Sequence, residues 1–132
     1  MQKDFTNVNV HYQSDYDTIK INKYALIQIL HNLIGNGIKY NDKEIVEIKI
    51  DFSENASYYI IKVTDNGIGI ETKDFLEIYE SFKILNVKDR YGNYGTGLGL
   101  STVKKIVDKL NGRIEIISEL KKGTTFTLFL AK

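Results

Sequence analysis

The spacing of apolar residues along this chain switches between helical and strand-like periods, and that alternation narrows the folds open to it. From Asn22 to Tyr40, the residues Leu26, Ile29, Leu30, Leu33 and Ile34 recur at three-and-four spacing, which makes an amphipathic helix of about five turns. Ile45 to Phe52 then alternates apolar and charged residues, and Tyr58 to Val63 follows across the polar stretch Ser53 to Ser57, so this region reads as a β-hairpin. Leu100, Val103, Val107 and Leu110 define a second helix, stopped by Asn111 and Gly112. Ile114 to Ile117 and Thr125 to Leu130 form a closing hairpin around Lys121 to Gly123. Val8 to Tyr12 alternates weakly, Thr18 to Ile21 reads as a further short strand, and Phe75 to Tyr79 as a short helix. Lys83 to Gly95 is polar and glycine-bearing, which predicts a mobile loop. Strands grouped in hairpins, with helices able to cover one face, predict an α+β, two-layer sandwich and not a doubly wound parallel sheet.

At 132 residues and 42% hydrophobic content, the chain is expected to be one soluble domain over residues 1–132 with a single core. Cysteine is absent, which excludes disulfides and thiolate metal sites, and His11 and His31 are the only imidazoles, so zinc is effectively excluded. Eighteen basic against 17 acidic residues give a net charge of +1, which offers no broad electrostatic footprint for nucleic acid or an anionic membrane. No apolar run approaches the roughly 20 residues a bilayer-spanning helix needs. Any anion site must therefore be local.

Three stretches offer such a site. On the first helix, about 100° per residue sets Asn32, Asn36 and Lys39 side by side at the margin of the apolar stripe. Asparagine carbonyls are hard oxygen ligands suited to Mg2+, and Lys39 supplies a point charge for phosphates; the plain alternative is a pair of surface asparagines. Gly35 and Gly37 flank Asn36 at a cost of roughly 1 kcal/mol each relative to alanine, which either close ligand approach or tight helix-sheet packing would offset. Thr64-Asp65-Asn66-Gly67-Ile68-Gly69-Ile70 leaves a strand, with the Asp65 carboxylate free to point into a cleft and accept from the exocyclic amine of adenine, or else simply forms a turn. Gly95-Thr96-Gly97-Leu98-Gly99-Leu100-Ser101 runs into the second helix, whose backbone N–H groups and positive end suit phosphate. No Gly-Lys-Ser/Thr follows it, and Leu100 stands where a dinucleotide fingerprint has its third glycine, so neither of those loops is present.

In order and spacing these stretches resemble the motifs of sensor histidine kinases. Asn32 to Tyr40 looks like the asparagine box, Asp65 to Gly69 the first glycine box, Ser81-Phe82 the phenylalanine box, and Gly95 to Ser101 the second glycine box; Asn111 to Ile114 and Lys122 to Phe126 are similar to the family's closing strands. The resemblance covers about Asp17 to the end. It implies the ATP-binding fold shared with gyrase B subunits, MutL-type repair proteins and certain chaperones: a mixed, mainly antiparallel sheet covered on one face by about three helices, with ATP beneath a lid at about residues 79–97. Carried over by position, Asn36 is the magnesium ligand with Asn32 assisting, and Asn32, Asn36 and Lys39 form the catalytic set. Lys39 and Tyr40 contact phosphate or ribose, Asp65 reads adenine, and Gly67, Gly69 and Ile70 shape its pocket. Phe82 anchors the lid, and Gly95, Thr96, Gly97, Leu98, Gly99 and Leu100 meet the phosphates near the helix start.

Lys83, Lys88 and Arg90 are candidates to meet the γ-phosphate, although the family's usual basic residue two places after the phenylalanine is Ile84 here and solvated surface charge is the plainer reading. Gly37 replaces the usual alanine. The family's phosphoacceptor histidine belongs to a separate helical hairpin; His11 lacks a following acidic partner and His31 lies away from the asparagine patch, so both are expected to be structural. The implied activity is a cytoplasmic protein histidine kinase of a two-component system, with ATP and Mg2+ as cofactors. Its partners are the parent's dimerisation and phosphoacceptor domain and, indirectly, a response regulator, without nucleic acid or direct membrane contact. An anti-sigma-factor type serine kinase and a non-catalytic interaction module share this fold; the phenylalanine box and the Gly-Thr-Gly-Leu-Gly-Leu form argue against the first, and the full set of box residues against the second.

Overall fold

Helix α1 (Lys23–Lys39) begins where Asn22 Oδ1 accepts from the Ala25 N–H at 3.0 Å, and it ends where the Tyr40 N–H donates back to Asn36 O at 3.0 Å. Its buried residues Ile29, Leu33 and Gly37 repeat every four positions, so one face is committed to the sheet below. The computed structural model describes residues 7–14, 20–75, 78, 90–91 and 99–132. Among these, five strands form one sheet: β1 (Asn7–Ser14), β2 (Ile45–Glu54), β3 (Tyr58–Asp65), β4 (Arg113–Glu119) and β5 (Gly123–Ala131), in the spatial order β1-β2-β3-β5-β4. β1 pairs parallel to β2, and every other pairing is antiparallel. Helix α2 (Gly99–Lys109) lies beside α1 on the same face.

The core forms where the inward alternation of the strands meets the two helix stripes. Val46, Ile48 and Ile50 of β2, Ile61 and Val63 of β3, and Phe126, Leu128 and Leu130 of β5 close against Ile29 and Leu33 of α1 and Val103 and Val107 of α2. Each such side chain contributes about 1.5–3 kcal/mol on burial. The opposite face carries polar and stacked groups, including the Arg113 guanidinium 4.0 Å above the Phe129 ring. Asn55 Oδ1 closes the β2–β3 turn by accepting from the Ser57 and Tyr58 N–H groups at 2.9 and 2.8 Å.

The α+β sandwich and its mixed, mainly antiparallel sheet are as the sequence predicts. Two details differ. Lys20 and Ile21 lead into α1 outside any strand, and Thr18 and Ile19 lie outside the described residues. A 3₁₀ turn stands at Thr72–Asp74, and most of the expected Phe75 to Tyr79 helix (76, 77 and 79) lies outside the described residues, which hold two α-helices where about three are expected.

Candidate functional site

The described residues of the three stretches singled out above meet around α1. At one end, a Cβ placed on Gly99, the first residue of α2, would lie 3.6 Å from Asn32 Oδ1. The side-chain nitrogen of Asn32 is buried there with no hydrogen-bond partner among the described residues, and a buried donor left unpaired costs about 1–3 kcal/mol until something accepts from it. Asn36, one turn further on, is half-buried, and Lys39 is exposed, so the three lie on the helix margin as the spacing implies.

At the other end, α1 presses on the end of β3. A Cβ on Gly37 would lie 2.7 Å from Ile48 Cδ1 and 3.0 Å from Asp65 Cβ, so tight helix-sheet packing accounts for this glycine. Gly35 differs: no atom of the described residues lies within 4 Å of such a Cβ, and packing gives no reason for it.

Asp65 is the last residue of β3, but its carboxylate is less free than the sequence suggests. Oδ1 accepts from the Gly67 N–H at 2.8 Å, because a short acidic side chain before a turn satisfies the turn's own backbone. Burial pushes the Asp65 carboxyl up to about 6, against the opposing pull of the Gly67 and Thr124 N–H groups and the charge of Lys43. A carboxylate so placed is an acceptor-only group in a poorly solvated position, suited to recognising a neutral N–H donor.

The loop after Asp65 is held by its backbone on both sides. The Ile68 N–H donates to Tyr40 O at 3.0 Å, and Ile68 O accepts from the Lys121 N–H at 2.8 Å. Gly67 and Gly69 are needed for this closeness: added Cβ atoms would lie 2.5 Å from Tyr40 O and 2.3 Å from Glu119 O, and Gly69 has φ +79°. The Ile70 N–H donates to Ser118 Oγ at 2.7 Å. The Tyr40 backbone is thus held by a main-chain bond and that of Ile70 by the Ser118 hydroxyl.

Arg90 sits beside the C-terminal end of α1. Its N–H donates to Lys39 O, at the last residue of α1, at 2.7 Å, and its guanidinium donates to Lys43 O, four residues beyond the helix, at 3.1 Å. Phe82, Lys83, Lys88, Gly95, Thr96, Gly97 and Leu98 lie outside the described residues, as does nearly all of the expected lid; Gly99 and Leu100 open α2. His31 is exposed on α1. His11 does have an acidic partner, supplied across the sheet and not by the next residue: its Nε2 lies 2.8 Å from Glu47 Oε2 on the exposed side of β1 and β2. Bonds from Asn9 and His11 hold the Glu47 carboxyl below its usual range.

Sequence reasoning gave no role to two side chains near Asp65, those of Asn41 and Asn66. Asn41, 2% exposed, donates to Asn66 Oδ1 at 2.8 Å and to Gly37 O at 3.2 Å. The only available signal was an asparagine directly after a helix end. Among the described residues no group of three or more His, Asp or Glu side chains converges, so a protein-only metal cage is absent from them.

A profile of the histidine kinase-, DNA gyrase B- and HSP90-like ATPases matches residues 21–132. Cyanobacterial phytochrome B of Nostoc sp. is 37% identical over 125 residues, covering 92% of this chain and 16% of the phytochrome. The sensor protein SrrB of Staphylococcus aureus is 39% identical over 105 residues, covering 80% of this chain and 18% of SrrB. The chain therefore spans 16% and 18% of the length of these two relatives. Among solved structures, the catalytic domain of the histidine kinase ThkA superposes with a TM-score of 0.78 at 24% identity, covering 96% of this chain and 82% of that one. The mycobacterial sensor histidine kinase MprB gives 0.77 at 19% identity, with coverages of 94% and 81%. The fold of both is the fold described above.

Proposed function

This chain belongs to the histidine kinase-, DNA gyrase B- and HSP90-like ATPase family, and from that premise we propose that it binds Mg-ATP and donates the γ-phosphoryl group to a histidine on a separate dimerisation domain of a sensor kinase. The observation that carries this reading is that α1 meets both other stretches at once, with Asn32 against Gly99 at one end and Gly37 against Asp65 at the other. One helix thereby sets the distance between a base-reading carboxylate and a phosphate-facing helix start.

In this reading, Asp65 accepts from the exocyclic amine of adenine, and Gly67, Gly69 and Ile70 line the base. Lys39 and Tyr40 stand beside the phosphates and ribose. Gly99 and Leu100 offer backbone N–H groups at the start of α2. Gly95 to Leu98 continue that cradle, and Phe82 anchors a lid over it. The side chains suit magnesium: Asn36 and Asn32 provide hard amide oxygens, and a cation that keeps several waters and takes other ligands from phosphate needs no protein-only cage. When bound, magnesium supplies neutralisation of the charge on the phosphate oxygens. What the chain's own residues supply is position, holding the triphosphate so that its γ-phosphorus faces an imidazole arriving from the partner domain. The parent's dimerisation domain is the direct partner and a response regulator the indirect one, which sets the domain in the cytoplasm. Among the described residues no helix is long and apolar enough to cross a membrane.

Titrating ADP and ATP into wild type and variants, with and without Mg2+, tests this. Asp65→Asn weakens adenine nucleotides with or without metal, and Asn36→Ala weakens only the magnesium-dependent part of the affinity. Equal nucleotide binding by all three proteins would end the proposal.

A further inference from the structure

Asn66 sits inside the motif that supplies Asp65 and Gly67, yet none of the roles above uses its side chain. All of its amide is engaged with its surroundings. Oδ1 accepts from Asn41 Nδ2 at 2.8 Å and from the Glu47 N–H at 2.9 Å, while Nδ2 donates to Ile45 O at 3.1 Å. Asn41 in turn donates to Gly37 O at 3.2 Å and accepts from the Lys43 N–H at 2.9 Å. Two side-chain amides therefore connect the last turn of α1, the start of β2 and the turn after β3.

Amides in this arrangement, Asn41 buried and Asn66 half-buried, fix geometry, because the oxygen and nitrogen of each are bonded to separate partners and a shift of any element leaves a polar group unpaired. The residues on either side of Asn66 are Asp65 and Gly67, joined by the Gly67 N–H to Asp65 Oδ1 bond, and Gly37 lies directly against Asp65. We propose that the Asn41–Asn66 pair consists of positioning residues for base recognition, holding the Asp65 carboxylate at a fixed offset from the α1 face that carries Asn32 and Asn36. The inference rests on the reading of Asp65 given above.

The test compares ATP with purine riboside 5′-triphosphate, which is ATP with hydrogen in place of the exocyclic amine. Calorimetric Kd values for both are measured in wild type, Asn66→Ala and Asn41→Ala. Wild type prefers ATP by about tenfold or more, as expected when an acceptor built for a donor loses it. In both variants the preference falls to within about threefold, through weaker ATP binding, while the Kd for the analogue hardly changes. A purely structural role predicts something else: partial unfolding raises both Kd values by one factor and leaves their ratio intact, and that result overturns the proposal. If Asn41→Ala does not fold, Asn66→Ser takes its place, since it leaves the Gly37 and Lys43 bonds of Asn41 intact, and an unchanged ratio in both Asn66 variants is equally fatal. Wild type that fails to prefer ATP overturns the reading of Asp65 itself, and the positioning role falls with it. The double variant adds no further loss of preference beyond the larger single effect, because both changes break one connection.

Discussion

Replacing Asp65 with asparagine should stabilise the nucleotide-free protein at neutral pH while it weakens adenine binding. The Asp65 carboxyl is raised from 3.8 to about 6, chiefly by burial. A carboxyl whose folded value is raised binds its proton more tightly in the native state than in the unfolded one. Its contribution to stability is therefore fully present below about pH 4 and lost as the pH rises through about 6. Two units correspond to about 3 kcal/mol at roughly 1.4 kcal/mol each, and that is the cost of carrying the ionised group at pH 8. Asparagine carries no such cost, and its amide oxygen can still accept from Gly67. The gain reaches at most about 3 kcal/mol, because the Thr124 N–H that steadies the carboxylate prefers an oxygen to an amide nitrogen. For a domain of this size that is a rise in Tm of up to about 10 °C. Urea denaturation of both proteins at pH 4, 6 and 8 reads the effect directly: the curves coincide at pH 4 and separate towards pH 8, with the variant more stable. A variant less stable at pH 8, or a difference equal at all three values, would refute the reasoning.

Wild-type affinity for ATP should fall as the pH drops below about 6, where Asp65 takes up its proton and ceases to be a pure acceptor; calorimetry at pH 5 and 7.5 measures it, and this loss should be absent in Asp65→Asn. The isolated chain should bind nucleotide but incorporate little label from γ-labelled ATP, and robust labelling of His11 or His31 would contradict the separate-acceptor reading. Any phosphoprotein formed with a supplied dimerisation domain should be acid-labile, whereas an acid-stable product would favour a serine kinase. Lys121 has φ 68°, so Lys121→Gly should stabilise by about 0.5–1 kcal/mol in urea titration. Gly123→Ala should destabilise by more than about 2 kcal/mol, since its φ is +132° and the new Cβ would lie 2.0 Å from Asp65 O.

Most elements were legible because their apolar residues follow one period. Helix α1 runs within a residue of the expected Asn22 to Tyr40 at either end, and α2 ends where Asn111 takes up φ 54°. Strand ends were less clear. Ser53, Glu54, Thr64 and Asp65 break the alternation but still pair across the β2–β3 ladder, because backbone bonds do not depend on side-chain polarity. Alternation in Val8 to Tyr12 indicates a strand but not its partner, and its parallel pairing with β2 depends on the path of α1 between them. At the site, residue types carried the expectation of which side chains suit a metal or a base. The reasons for the glycines were hidden, since close approach to Tyr40 O or Glu119 O arises from chain segments far apart in sequence. The same holds for Asn41 and Asn66, and for Arg90, whose carbonyl partners became known only with the fold.

The Asp65 to Ile70 turn is bonded through main-chain atoms to Tyr40 on one flank and to Lys121 on the other, with both bonds made at Ile68. Its length is therefore fixed more strictly than its composition. One inserted residue would slide one seam or the other out of step, whatever side chain it carried, whereas the exposed Asn55 to Ser57 bend at the far end of β3 has room to grow. Length variation among descendants of this chain should gather at that bend and spare the other.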